Sequence, residues 1–202
     1  MRFDQEIYRQ QNEWREQEKL SERVVDDVLP SIDETMTTVA GIDYHFADRT
    51  FFDGALTLRI PSEFKLLGKE VMKQFLPACR ENQLLLSDDA AIFTISLLQQ
   101  NRKLEQKDLE KEKDTYCQVL PKLAAGVHIH AAEVLAGKHQ SLVWIEYTNE
   151  TVTERMYNCL FSSGLGDASV TGSISFTYAQ RQIKDIARQI ALSYTDRTQK
   201  GA

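Results

Sequence analysis

At 202 residues, 42% of them hydrophobic, the chain can bury one substantial core and a short accessory segment, but not two full domains. Its 24 basic and 30 acidic residues give a formal charge of -6, which disfavours a general electrostatic grip on nucleic acid or on an anionic membrane. Arg2, Asp4, Glu6, Arg9, Glu13 and Arg15 interrupt any apolar leader, and no stretch approaches the roughly 20 apolar residues of a membrane span, so a cytoplasmic chain without a span is expected.

In chain order, Phe3, Ile7 and Trp14 recur near helical spacing among Gln, Glu and Arg, and Val24, Val25, Val28 and Leu29 follow. This predicts a polar helical arm over residues 1–40, ended by the Pro30 and Gly41 regions. The body, 41–202, opens with strand segments at 42–46 and 55–60; in the second, Leu56, Leu58 and Ile60 alternate with Ala55, Thr57 and Arg59. After Pro61, the spacing of Phe64, Leu67, Val71, Met72 and Phe75 predicts a helix running to Pro77. Segments 83–86 and 91–98 predict a second hairpin. From 101 to 125 a charged helix is predicted, with Leu104, Leu109, Tyr116, Leu120 and Leu123 as its apolar stripe and Gly126 as its stop.

Four strand-like segments follow, at 127–135, 142–148, 155–161 and 170–178, and their short connections imply an antiparallel meander. Ile183, Ile186, Ala187, Ile190, Ala191 and Tyr194 then form the stripe of an amphipathic helix that can lie across that meander. The fold class expected is α+β: a curved antiparallel sheet of about six strands flanked by helices.

No catalytic residue, cofactor or metal is assigned. His128 and His130 lie two apart on a predicted strand and could share a metal with Glu133, His139 or Cys117. Without a second spaced pair or an acidic cluster, histidines at an edge are the simpler expectation. The run 162–167 has glycines but no lysine or following helix, so it reads as a hairpin turn and not a phosphate loop. Ser173 and Ser175 alternate with Val170, Gly172, Ile174 and Phe176 as the polar face of a strand, and no nucleophile elbow is present. Cys79, Cys117 and Cys159 have no paired spacing and read as reduced thiols. The chain is therefore expected not to be an enzyme.

The run from Phe51 to Ser62 with Phe64, where a strand passes through Pro61 into a P-x-x-F start, and the closing unit from Gly172 to Tyr194 resemble the PsbP-like fold. That α/β/α sandwich is shared by PsbP, DcrB-like proteins, a Ran-binding import factor and the Eag chaperones of type VI secretion effectors. The resemblance covers about residues 42 to 196, taken over a pattern of elements rather than a residue signature. It implies a scaffold that binds other macromolecules and carries over no site residue.

Two features point to binding. The strand at 142–148 is apolar on both sides, with Val143, Ile145 and Tyr147 on one face and Leu142 and Trp144 on the other. A helix of the chain itself, an apolar partner segment or a homodimer mate can cover the second face. In the arm, Phe3, Ile7 and Trp14 are too few for a core of their own and need something to dock on. The function expected is a protein-binding adaptor or chaperone, with a secreted effector as one class of partner, and with Phe3, Ile7, Trp14, Leu142 and Trp144 as contact residues. A small-ligand or metal-binding protein with a pocket between sheet and helices, or a structural subunit of a larger assembly, are the alternatives.

Overall fold

The computed structural model describes residues 30–75, 80–123, 126–151 and 154–198. Thr37–Val39 (β1) and Ile42–Tyr44 (β2) form a small hairpin. Phe46–Phe51 (β3) and Leu56–Pro61 (β4) form the next, and Lys65–Leu66 (β5) leads to the helix Lys69–Phe75 (α1). Gln83–Ser87 (β6) and Phe93–Gln100 (β7) pair as the second predicted hairpin. The charged helix is Leu109–Leu123 (α2), and it is followed by the meander His128–Ala136 (β8), Ser141–Glu150 (β9), Arg155–Leu165 (β10) and Ala168–Thr177 (β11). A 3-10 segment, Tyr178–Ile183, enters the closing helix Lys184–Leu192 (α3), and Thr195–Asp196 (β12) comes last.

The strands of the meander continue into a seven-stranded antiparallel sheet of order β5-β6-β7-β11-β10-β9-β8. A separate three-stranded sheet has the order β12-β4-β3. The first sheet is thus one strand wider than expected, because β5 adds to its edge. The second exists because residues 195–196 return to pair with Thr57 and Leu56.

One face of the large sheet packs against α3 and the small sheet. Trp144, Phe161, Ile174 and Phe176 meet Ile186, Ala187, Ile190 and Ala191, together with Leu56, Leu58 and Ile60, in one core. On the opposite face α2 lies over β8 and β9, where Leu104, Leu109 and Leu120 close on Val143, Ile145 and Leu160. Each fully buried large apolar side chain of these layers contributes about 1.5–3 kcal/mol.

Two sequence expectations are corrected. The helix expected after Pro61 begins only at Lys69, because the chain first turns (Phe64 N–H to Pro61 O, 3.2 Å) and lays β5 against β6. The helical spacing of Phe64 is coincidental, since its ring packs on Tyr44 and Phe93 with centroids 6.1 and 4.7 Å away. The arm does not extend to residue 40 as a separate unit either. Ile32 and Val39 are buried in the main core, and Gln189 on α3 holds the backbone of Pro30 and Ile32. Phe3, Ile7 and Trp14 lie outside the described residues.

The turn at 162–167 is tighter than its six residues suggest. Pairing runs to Leu165 opposite Ala168, leaving Gly166-Asp167 as a two-residue loop with Gly166 at φ 59°, a left-handed conformation that glycine adopts without strain. The C-terminal segment clamps it: Tyr194 OH donates to Gly164 O at 2.8 Å, and Gly166 N–H donates to Asp196 Oδ2 at 3.0 Å.

Beside this turn, the hydroxyl of Ser169 is fully buried without a hydrogen-bond partner among the described residues. Removing an unsatisfied buried donor relieves a desolvation cost of about 1–3 kcal/mol. Ser169→Ala is therefore expected to leave the urea midpoint unchanged or raise it, and a lower midpoint would mean that the hydroxyl has a partner in solution.

Candidate interaction surfaces

Leu142 and Trp144, expected to face a partner, are 1% and 0% exposed and sit in the main core. Their face is covered by the chain's own α3 and small sheet, so neither offers surface to another molecule. The same face holds a carboxylate. Glu146, itself buried, accepts the indole N–H of Trp144 at 3.0 Å and the hydroxyl of Tyr157 at 2.5 Å. Both donors are neutral. Burial and then the hydrogen bond to Glu146 push the Tyr157 hydroxyl far above its usual range, so it stays a donor at any ordinary pH.

At the open end of this face the ring of Tyr157 is sandwiched. Phe176 stacks on it with centroids 5.4 Å apart and an 11° interplanar angle, and His130 stacks on it at 5.5 Å and 6°. His128 meets His130 edge-on at 4.8 Å. The two histidines share one face, as alternation expects, and the ladder of β8 with β9 slips just beyond, between Ile129 and Ala131, with His130 as the residue of that bulge. The further ligands considered for a metal are elsewhere: Glu133 is paired with Arg188 at 2.8 Å, and His139 lies beyond the far end of β8. Among the described residues no three His, Cys, Asp or Glu side chains are grouped to hold a metal.

The opposite face differs from strand to strand. Val143 and Ile145 are sealed under α2, and Tyr147, packed against the same cluster, has its hydroxyl pushed up to about 12 by burial. On β7 and β11, by contrast, Thr94, Ser96, Thr171, Ser173, Ser175 and Thr177 on this face are short, hydroxyl-bearing and half-buried, with Leu98 beside Thr171. Ser96 stands opposite Ser173 and Thr94 opposite Ser175, with Thr177 continuing the row. The hydroxyls are tied laterally. Ser175 Oγ donates to Asn158 Oδ1 at 2.8 Å, Asn158 Nδ2 donates to Asn149 Oδ1 at 2.7 Å, and Gln83 Nε2 donates to Ser96 Oγ at 2.9 Å. Tyr116 on α2 reaches the end of the row, 2.8 Å from Thr171 Oγ1. The result is a flat polar floor over the central strands.

Two cavities, of about 560 and 410 Å³, flank the turn at Lys138 and His139. Lys103, Glu105, Gln106 and Asp196 line the first, and Asp48, Arg59 and Gln189 the second. Both are at the end of β8 remote from His128 and His130, so neither has the histidine pair at its mouth. Cys117 and Cys159 are free thiols whose ionisation burial opposes, which leaves them poor nucleophiles; Cys79 lies outside the described residues. Among the described residues no helix is long and apolar enough to cross a membrane.

A wide antiparallel sheet with helices on both faces and a small accessory sheet defines an α+β sandwich of the PsbP-like kind. Solved structures agree. The PsbP protein (CyanoP) of Synechocystis sp. PCC 6803 matches with a TM-score of 0.53 and 10% identity, over 78% of this chain and 95% of its own. The Ran-binding protein Mog1p of Saccharomyces cerevisiae matches with a TM-score of 0.50 and 10% identity, over 76% and 96%. A protein from Bacteroides thetaiotaomicron VPI-5482 matches with a TM-score of 0.53 and 10% identity over 75% of this chain, which spans 48% of that protein's length. At such identity the likeness is one of fold. No family model matches the sequence, and no curated protein matches it either.

Proposed function

We propose that this chain is a non-enzymatic protein-binding adaptor that receives a helical segment of its partner across the hydroxyl floor of β7, β11 and β10. The observation that carries the reading is the half-buried row Thr94, Ser96, Ser173, Ser175 and Thr177, in the middle of a sheet whose outer strands β8 and β9 lie under α2. Strands are about 4.8 Å apart, so β7 to β10 spans about 10 Å, close to the 10–12 Å diameter of one helix. Short side chains let such a helix approach closely, and their hydroxyls both donate and accept.

The fold of a Ran-binding protein supports the same reading, as another use of this scaffold to hold a protein. Kinship with the Eag and DcrB-like branches would make the partner a secreted effector and the chain its chaperone. Phe3, Ile7 and Trp14 would add a second contact. Ile32 and Val39 belong to the core, which supports a boundary of that arm near Pro30.

The test is affinity capture from the native host with three baits: the full chain, the Ser96→Arg/Ser173→Arg variant, and a chain beginning at Pro30. One protein enriched by the full chain, and lost with a double variant whose melting temperature is unchanged, supports the reading. Loss with the shortened chain adds the arm to the interface. Equal enrichment by the full chain and the double variant overturns the floor as the docking surface.

A further inference from the structure

We propose that Arg155 and His130, both held on Thr148, form a binding site for a phosphate monoester. The site lies on the face of Trp144, opposite the hydroxyl floor, and does not depend on the adaptor reading. Thr148 is fully buried, and its Oγ1 is 3.2 Å from Arg155 Nη2 and 3.1 Å from His130 Nε2. Arginine only donates, so Thr148 Oγ1 accepts from Arg155, and its second lone pair or its proton meets His130 Nε2. With Nε2 engaged by Thr148, Nδ1 is the ring nitrogen left for a ligand, and it donates when the ring is an imidazolium.

Both side chains are held from behind. The guanidinium of Arg155 lies over the ring of Tyr178, 4.3 Å from its centroid, and His130 is stacked on Tyr157. A guanidinium oriented by an aromatic face keeps the edge of its fork for an oxyanion. Arg181 lies over the same ring at 5.1 Å.

Two of the cations here are not paired with a carboxylate. Arg155 stands opposite Glu150 in the ladder, yet among the described residues it forms no ion pair with any carboxylate, and neither does Lys184. The Glu150 side chain packs against Gly126 instead. Around His130, the groups that act on its charge are His128, Arg155 and Lys184, against Glu146 alone, and both oxygens of Glu146 are occupied by Trp144 and Tyr157. Glu154 precedes Arg155 and Asp185 follows Lys184 in the chain, and Arg181 lies over Tyr178. Such a cluster in a chain of formal charge -6 suits a ligand with three acceptor oxygens and up to two negative charges better than a single carboxylate.

Burial first, then the charges of His128 and Arg155, hold His130 below the ordinary imidazole range. A bound anion favours the imidazolium, so phosphate must raise the His130 pKa, and affinity must gain as pH falls through that titration.

The experiment is an NMR titration of the His130 ring on the full chain, with inorganic phosphate against chloride at equal ionic strength. The expected results are an upward pKa shift with phosphate only, and a loss of phosphate affinity of about tenfold in Arg155→Gln. Lys184→Gln is expected to act in the same direction and Arg155→Lys to restore only part of the affinity, since a point charge lacks the fork. Equal shifts in phosphate and chloride overturn the proposal, as does full affinity in a folded Arg155→Gln variant. Two further ligands locate the source of the ester. Tighter binding of a phosphoserine peptide than of free phosphate assigns it to a partner protein, and tighter binding of a sugar phosphate assigns it to a small molecule.

Discussion

Trp144→Ala is expected to lower stability by about 3–5 kcal/mol, the cost of emptying a buried indole site, read as a fall in the urea midpoint at constant slope. Two losses combine in it. The ring is fully buried between β9, α3 and the small sheet, and its N–H is one of the two donors to Glu146. Trp144→Phe separates them, because it keeps much of the ring and removes the donor; a hydrogen bond to a charged group is worth about 1.5–3 kcal/mol. Tyr157→Phe removes the other donor without changing the packing. If Glu146 is held by the two together, the double variant loses more than the sum of the single ones, since it leaves a buried carboxylate without a partner. Additive losses would mean that water reaches Glu146.

Gly172→Ala is the second large effect, at about 1–3 kcal/mol or more for an overpacked site. Phe161 stands directly opposite Gly172 in the β10–β11 ladder and is fully buried, and its ring lies over the glycine. A Cβ there would fall 2.0 Å from Cζ and 2.3 Å from Cε1 of that ring. The ring cannot swing aside, because it is enclosed by the main core. Phe161→Leu combined with Gly172→Ala is expected to be more stable than Gly172→Ala alone. A double variant less stable than either single one would show that the clash is not the cause.

Most of the sheet was legible because its strands alternate. The hairpin of β6 and β7, and the four strands of the meander, follow from period-two patterns and short turns, which are local properties. Ser173 and Ser175 were readable as a polar face for the same reason. What sequence could not supply is pairing at a distance. Thr195 and Asp196 carry no strand pattern of their own, and they become one by meeting Thr57 and Leu56. Phe64 kept helical spacing with Val71 although it belongs to a ring cluster with Tyr44 and Phe93.

The polar site in the core was hidden likewise. Glu146 is the one carboxylate in the run 142–148, and a lone carboxylate inside an apolar strand is a signal in itself. Its second donor, however, is Tyr157, whereas the residue directly opposite it in the ladder is Cys159. Only the register, and the side-chain lengths across it, identify the pair. The bulge at His130, which shifts the alternation of the residues after it, leaves no mark in composition either.

That bulge has a further consequence, for self-association. An antiparallel sheet with an apolar strand such as β9 would template aggregation if that strand, or a straight neighbour of it, stood at the margin with its amides open. Here β9 is the second strand in, sealed on both faces, and β8, outside it, is kinked at His130 and carries the charged Glu133. The other margin is reduced to the two residues Lys65 and Leu66. Neither border gives an incoming strand a long, flat, apolar run to zip onto, so the sheet is terminated at both ends by its own construction.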